Sequence, residues 1–243
     1  MSSVQHGLHR GGATRFVVMS LSTLAVATEQ RGALDDTRRE LLASLEPTQL
    51  AGRALLGRLA DGVLAGTIDG PGVEGDIRRM GAAARAMHDA AASALNRLHS
   101  VLSPLQRAVL ADKVEAHWAL WQRSSAYDSK TPAHEQNPLA ELRAQLHLSA
   151  AQLERTKLAL PFGEGTLSPR ECRGIDGLCA FCDAFRSNVF DARMLSATSD
   201  ADAKMESWAA EHLAHLAVAV NPTLTADQRA QFAEWLRHAG ISS

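Results

Sequence analysis

The sequence predicts an all-α protein, and three observations carry that reading. Good helix formers dominate: Ala, Leu, Arg, Glu and Gln abound, while aromatic residues make up only 5% of the 243. Apolar residues recur at spacings of three and four along most of the chain. No stretch alternates with period two, as a half-buried strand would. The hydrophobic fraction of 46% is largely alanine, so the core must come from close packing of helices through Ala and Leu. A net charge of -2 offers no basic stripe, and nucleic acid is not an expected partner.

The first 27 residues are read as a segment outside the fold. Arg10 and Arg15 precede an apolar run from Phe16 to Ala27 that ends in the small-residue sequence Ala25-Val26-Ala27. That is the order of a secretory signal, and the alternative is a disordered or amphipathic tail. The run is too short for a transmembrane span, which needs roughly 20 apolar residues.

Helical periodicity begins near Asp35, with Leu34, Leu41, Leu42 and Leu45 in register. Glu46-Pro47 interrupts it, and Pro47 suits the first turn of a second helix carrying Leu50, Leu55, Leu56, Leu59 and Val63. "AGTIDGPGVEGD", with four Gly and one Pro, reads as a loop. A long helix follows, with Ile77, Met80, Ala84, Met87, Ala91, Leu95 and Leu98 along one stripe, and a further helix from Ser103 to about Trp121. "SSAYDSKTPAHEQNPLAE" is the least periodic internal stretch and the best linker candidate. Beyond it come helical patterns in "LAELRAQLHL", "AAQLERTKLAL", "PRECRGIDGLCAFCDAFRSNVF", "DADAKMESWAAEHLAHLAVAV" and "ADQRAQFAEWLRHAG", with Gly163 and Gly165 separating the second from the third.

Several helix starts share one pattern. In a capping box, Ser or Thr accepts from the backbone N–H three residues on, and Gln or Glu there reaches back to the cap residue's own N–H. Ser103 with Gln106, Ser149 with Gln152, Thr225 with Gln228 and Ser168 with Glu171 all fit, preceded by Leu102, Leu148 and Leu224 in the first three. Leu45-Glu46-Pro47-Thr48-Gln49 keeps the Leu and Gln without a hydroxyl at the cap. Two of these boxes sit in a longer match: Leu102, Gln106, Arg107, Ala108 and Ala111 recur as Leu224, Gln228, Arg229, Ala230 and Ala233. The preceding helices align as Met87, Ala91, Ala92, Leu95 and Leu98 with Met205, Ala209, Ala210, Leu213 and Leu216, if the second copy has a longer loop before its box. Gln49-Leu50 with Leu55 parallels Gln152-Leu153 with Leu158 at the start of each unit. The expectation is an internal duplication: residues 1–27 outside, one unit over 35–125, a linker over 126–139 and a second unit over 140–240.

Each unit thus opens with L-x-x-x-Q, passes an apolar-Asp turn (Ile68-Asp69; Phe190-Asp191), runs a long helix and closes with L-[ST]-x-x-Q-R. That order resembles the Spy/CpxP superfamily of bacterial periplasmic helical proteins, with its paired LTxxQ motifs. The resemblance covers most of the chain after residue 40. It departs in the weak first motif, the Gly-rich loop and the tandem arrangement. It implies long-helix hairpins forming a cradle, and in tandem an intramolecular pseudo-dimer, as a monomer or a homodimer. It further implies periplasmic location and ATP-independent chaperone-like or stress-response action on unfolded envelope proteins. The alternative within the same family is heavy-metal sensing or resistance.

For that alternative the sequence offers Cys172, Cys179 and Cys182, within roughly 80° of one helical face. Three thiolates with a fourth ligand suit a soft metal such as zinc, copper or nickel. The same stripe holds Ile175 and Leu178, which favours buried packing as the competing reading, and a redox or disulfide role is the third. His212 and His215, at i and i+3, are further candidate ligands. Asp89, Asp112, Glu115 and Glu234 read as solvated carboxylates among Arg and Lys. Trp118, Trp121, Trp208 and Trp235 read as core anchors or a client surface. No nucleophile elbow, phosphate loop or HExxH pattern occurs, so no enzymatic activity is expected.

Overall fold

The computed structural model describes residues 12–128, 138–161 and 174–239. Among these, all regular structure is helical: α1 (Gly12–Leu21), α2 (Thr28–Ala65), α3 (Gly70–Val101), α4 (Pro104–Asp128), α5 (Pro138–Leu146), α6 (Ala150–Ala159), α7 (Gly174–Arg186), α8 (Ser196–Val220) and α9 (Ala226–Ala239). Short 3₁₀ turns at Ala192–Leu195 and Asn221–Thr223 lead into α8 and out of it. No helix among the described residues is long and apolar enough to cross a membrane.

The interruption expected at Glu46-Pro47 does not occur. α2 runs 38 residues through Pro47. Proline there removes one backbone bond and crowds the preceding turn. Leu41 and Leu45 before it and Leu55, Leu56 and Leu59 after it form one buried stripe, and that burial outweighs the local loss. α2 ends at Gly66, whose φ of 76° is the left-handed cap geometry open to glycine. The expected loop at 65–76 is also shorter than its glycines suggested. Asp69 caps α3 by accepting from the Gly72 N–H at 3.2 Å, with Pro71 in the first turn where its missing N–H costs nothing. A Cβ at Gly62 would lie 3.0 Å from Ile68 Cα, so glycine lets the α2–α3 hairpin close tightly.

Two separate cores hold the molecule together. Core A joins Val17, Leu21, Leu24, Leu34 and Leu41 with Leu95, Leu98, Leu102, Leu110 and Val114, and closes with Leu178, Phe181, Cys182 and Phe185. Core B joins Leu139, Leu142, Leu146 and Leu148 with Leu213, Leu216, Val220, Leu224, Phe232 and Leu236, and closes with Leu56, Leu59, Ala60 and Val63. The correspondence is residue by residue at a constant offset of 122: Val17 and Leu139, Leu24 and Leu146, Leu98 and Val220, Leu102 and Leu224, Leu110 and Phe232, Val114 and Leu236. The closing residues follow the same offset in exchange, since Leu56, Leu59, Ala60 and Val63 in core B answer Leu178, Phe181, Cys182 and Phe185 in core A. Each core therefore takes its base from one half of the chain and its lid of apolar side chains from the other.

This register corrects two expectations. The preceding helices match without an inserted loop: Ala91, Ala94, Leu95 and Leu98 correspond to Leu213, Leu216, Ala217 and Val220, all buried. The expectation that residues 1–27 stand outside the fold fails for 16–26. Val17, Val18, Leu21 and Leu24 are buried in core A, with Phe16 and Val26 packed against it. α1 is the counterpart of α5, and its apolar run is the stripe that position requires. The halves differ in one large respect. α2 is a single helix, whereas its counterpart is divided into α6 and α7.

Candidate functional site

The paired motifs form the most repeated polar geometry in the molecule. Ser103 Oγ accepts from the Gln106 N–H at 3.3 Å, and Gln106 Oε1 accepts from the Ser103 N–H at 2.9 Å. Ser149 with Gln152, and Thr225 with Gln228, repeat these distances closely. Leu102, Leu148 and Leu224 precede the boxes, and all three are buried. The remaining member is Gln30, whose Oε1 accepts from the Ala27 N–H at 3.1 Å. Sequence reasoning missed it because Ala27 lacks a hydroxyl and because Gln49 offered a competing match. Ser168 and Glu171 lie outside the described residues.

The glutamines also bind each other. Gln30 and Gln106 exchange amide bonds in both directions, Nε2 to Oε1 at 3.1 and 3.0 Å, and Gln30 Nε2 donates to the Val101 carbonyl at 2.8 Å. In the second half Gln152 Nε2 donates to Gln228 Oε1 and to the Thr223 carbonyl, both at 2.7 Å, while Gln228 Nε2 donates to the Leu146 carbonyl at 3.0 Å. Each pair ties the start of one helix to the start of another and satisfies helix-end groups that would otherwise be bare. Arg107 and Arg229 extend the motif by donating to the Leu102 and Leu224 carbonyls at 3.0 Å. These groups fasten helix ends; none is placed as a nucleophile or base.

The candidate metal ligands among the described residues are not brought together. Cys182 is buried in core A, its Sγ directed at the Ala111 carbonyl at 3.8 Å. Burial, reinforced by Glu115, pushes its thiol up to about 12, which opposes the thiolate a metal needs. Cys179 is exposed, and Cys172 lies outside the described residues. His212 is buried, its ring centroid 3.8 Å from that of Trp208 and its Nδ1 bonded to the Trp208 carbonyl. His215 is exposed, so the two histidines straddle the edge of a buried face and do not point together. The neighbours of His212 on α8, Leu213 and Ala214, belong to core B, whereas Cys182 belongs to core A. Among the described residues no three His, Cys, Asp or Glu side chains group as a metal site would require.

Two carboxylates read as solvated have a structural task. Glu115 on α4 receives both guanidinium nitrogens of Arg186, at 2.9 and 2.8 Å, and Asp112 receives one at 2.8 Å. This bidentate pairing raises the Arg186 pKa and fastens α7 to α4. At the position equivalent to Glu115 stands Arg237, which reaches Asp61 at 2.7 Å. The partners do not correspond, since Asp61 answers to Asp183 and Arg186 to Leu64, so each half bridges to the other through a different pair of positions. Of the tryptophans, Trp118 packs on core A with its ring edge-on to Phe16, and Trp235 packs on core B beside Phe232.

Apolar surface remains exposed in stripes. On α4, Leu105 is 74%, Val109 38% and Leu120 56% exposed, and Ala116 lies between them on the same helical face. The equivalents of Leu105 and Val109 on α9 are the polar Asp227 and Gln231. On α2, Leu42, Leu50 and Leu64 are exposed on a face shared with Arg39 and Arg53. No family model, curated protein or solved structure matches the chain.

Proposed function

We propose that the chain is a chaperone-like or stress-response protein that binds unfolded envelope proteins reversibly, without nucleotide, as its resemblance to the Spy/CpxP superfamily implies. The observation that carries the reading is the exposed stripe of Leu105, Val109, Ala116 and Leu120 on α4. Large side chains left in water at helical spacing, where the other half places polar residues, suit contact with an apolar partner segment. Binding of this kind needs no catalytic group. In the same reading the two reciprocal cores make the chain an intramolecular equivalent of a two-subunit cradle. Location in the periplasm rests on the resemblance alone, because the segment that suggested a leader packs in core A.

The test is suppression of aggregation of a chemically unfolded model client at near-stoichiometric ratio, followed by light scattering. Leu105→Glu combined with Leu120→Glu lowers the suppression several-fold while leaving the denaturation midpoint close to that of the parent. Absence of suppression across several clients would sink the reading. Among the described residues, Cys179, Cys182, His212 and His215 are not grouped as a metal site would require.

A further inference from the structure

Core A holds a buried titratable ring where core B holds an asparagine; the buried ring beside core B, His212, stands elsewhere, on α8 against Trp208 and bonded to the Trp208 carbonyl. His99, at the end of α3, is 6% exposed and lies against side chains from the other half. Its ring stacks on Phe190 with centroids 5.0 Å apart and meets the Phe185 ring edge-on at 5.3 Å. Its Nε2 is 2.9 Å from the Ser187 carbonyl, so that nitrogen carries the hydrogen and donates. The Arg107 guanidinium approaches the same carbonyl at 3.4 Å and bonds the His99 carbonyl at 3.0 Å. The position equivalent to His99 is Asn221, which is buried and does not titrate.

The halves differ in their connections as well. In core B the closing residues Leu56, Leu59 and Val63 belong to the 38-residue α2, anchored along its length by the hairpin with α3. In core A their equivalents Leu178, Phe181 and Phe185 sit on α7, a separate helix of 13 residues. The turn after α7 is held by Asn96, which bonds the Asp191 carboxylate and the Ala192 N–H, and by His99.

We propose that His99 is an acid-sensitive latch between α7 and the α3–α4 corner, so that mild acid loosens core A and leaves core B closed. A second cation beside Arg107, in a pocket of two phenylalanine rings, meets no anion among the described residues. The other charged groups nearby are already engaged: Arg186 with Glu115, Asp112 and Asp183, and Asp191 with Asn96 and the Arg193 N–H. Burial, assisted by Arg107 and only partly offset by the bond to the Ser187 carbonyl, holds the His99 pKa below its ordinary 6.5. The neutral ring therefore contributes fully above about pH 6.5, where the unfolded chain is also neutral, and the contribution is lost as pH falls through the lowered value.

Hydrogen exchange at pH 7.5 and pH 5.5, corrected for the intrinsic rate of each amide, tests this on the full chain. Protection of 178–190 falls several-fold at the lower pH, while protection of 55–68 is unchanged. His99→Asn, which installs the residue found at the equivalent site, removes the difference. Asn221→His transfers acid sensitivity to 55–68. Equal loss in both segments, no loss in either, or a loss that persists in His99→Asn would overturn the proposal. The comparison of the two segments in the unaltered chain decides it even if a variant fails to fold.

Discussion

A glutamine amide serves two helices at once in this protein. Its oxygen closes the capping box at its own helix start, and its nitrogen crosses to the partner glutamine and to a helix-end carbonyl. Gln152 does this while almost fully buried. Its replacement by alanine leaves the Ser149 N–H and the Thr223 carbonyl without partners, at a cost of about 1–3 kcal/mol. Urea denaturation measures that cost. In a double-mutant cycle, Gln152→Ala and Gln228→Ala fall short of additivity by about 0.5–3 kcal/mol, whereas Gln152→Ala and Gln106→Ala add. The three hydroxyl-capped boxes were readable in the sequence because their donors and acceptors are local. The bond between glutamines was not, since it joins residues far apart in the chain. Ala27 and Gln30 escaped for a related reason: half of their box is a backbone group with no side chain to announce it. The pairing of Glu115 with Arg186 is likewise invisible along one helix.

At the scale of elements, Pro47 is the sharpest conflict between local preference and packing. A helix interior accommodates proline at a cost near 3 kcal/mol relative to alanine. The stripe from Leu41 to Leu59 nevertheless keeps α2 continuous. Pro47→Ala is therefore expected to raise stability, by about 1–3 kcal/mol, and to increase helical circular dichroism slightly. No gain in the denaturation midpoint would mean that α2 needs a bend at this point to follow α3. Helix type and most helix positions follow from apolar spacing. The errors fell at Pro47 and the Gly-rich stretch at 65–76, where a local breaker is overruled by a cap or a buried stripe.

At the scale of the whole molecule, the reciprocal cores make the halves interdependent. Removing residues 1–27 takes Val17, Val18, Leu21 and Leu24 from core A, each worth about 1.5–3 kcal/mol when buried. That sum is comparable with the whole stability of a small domain. The truncated chain is expected to lose the cooperative transition reported by Trp118 while Trp235, on core B, retains its own. Intact mass of the protein recovered from cells then shows residues 16–26 still attached. A truncated chain as stable as the parent would return those residues to the status of a tail. The repeated boxes were legible in the sequence, but the register in which the buried positions of the two halves correspond was not. The single helix α2 and its divided counterpart hide a match that only the buried positions reveal.

The unlike ion pairs that join the halves have a consequence of their own. In an assembly of identical subunits every substitution appears twice, so an ion pair built at one symmetric contact is built at the other as well. Here the two contacts are written by different codons. Glu115 meets Arg186 on one side, and Arg237 meets Asp61 on the other. Each contact is free to change without disturbing its twin, and the same freedom lets a histidine occupy one core and an asparagine the other. One chain thereby carries two versions of a single joint, able to answer the same conditions differently.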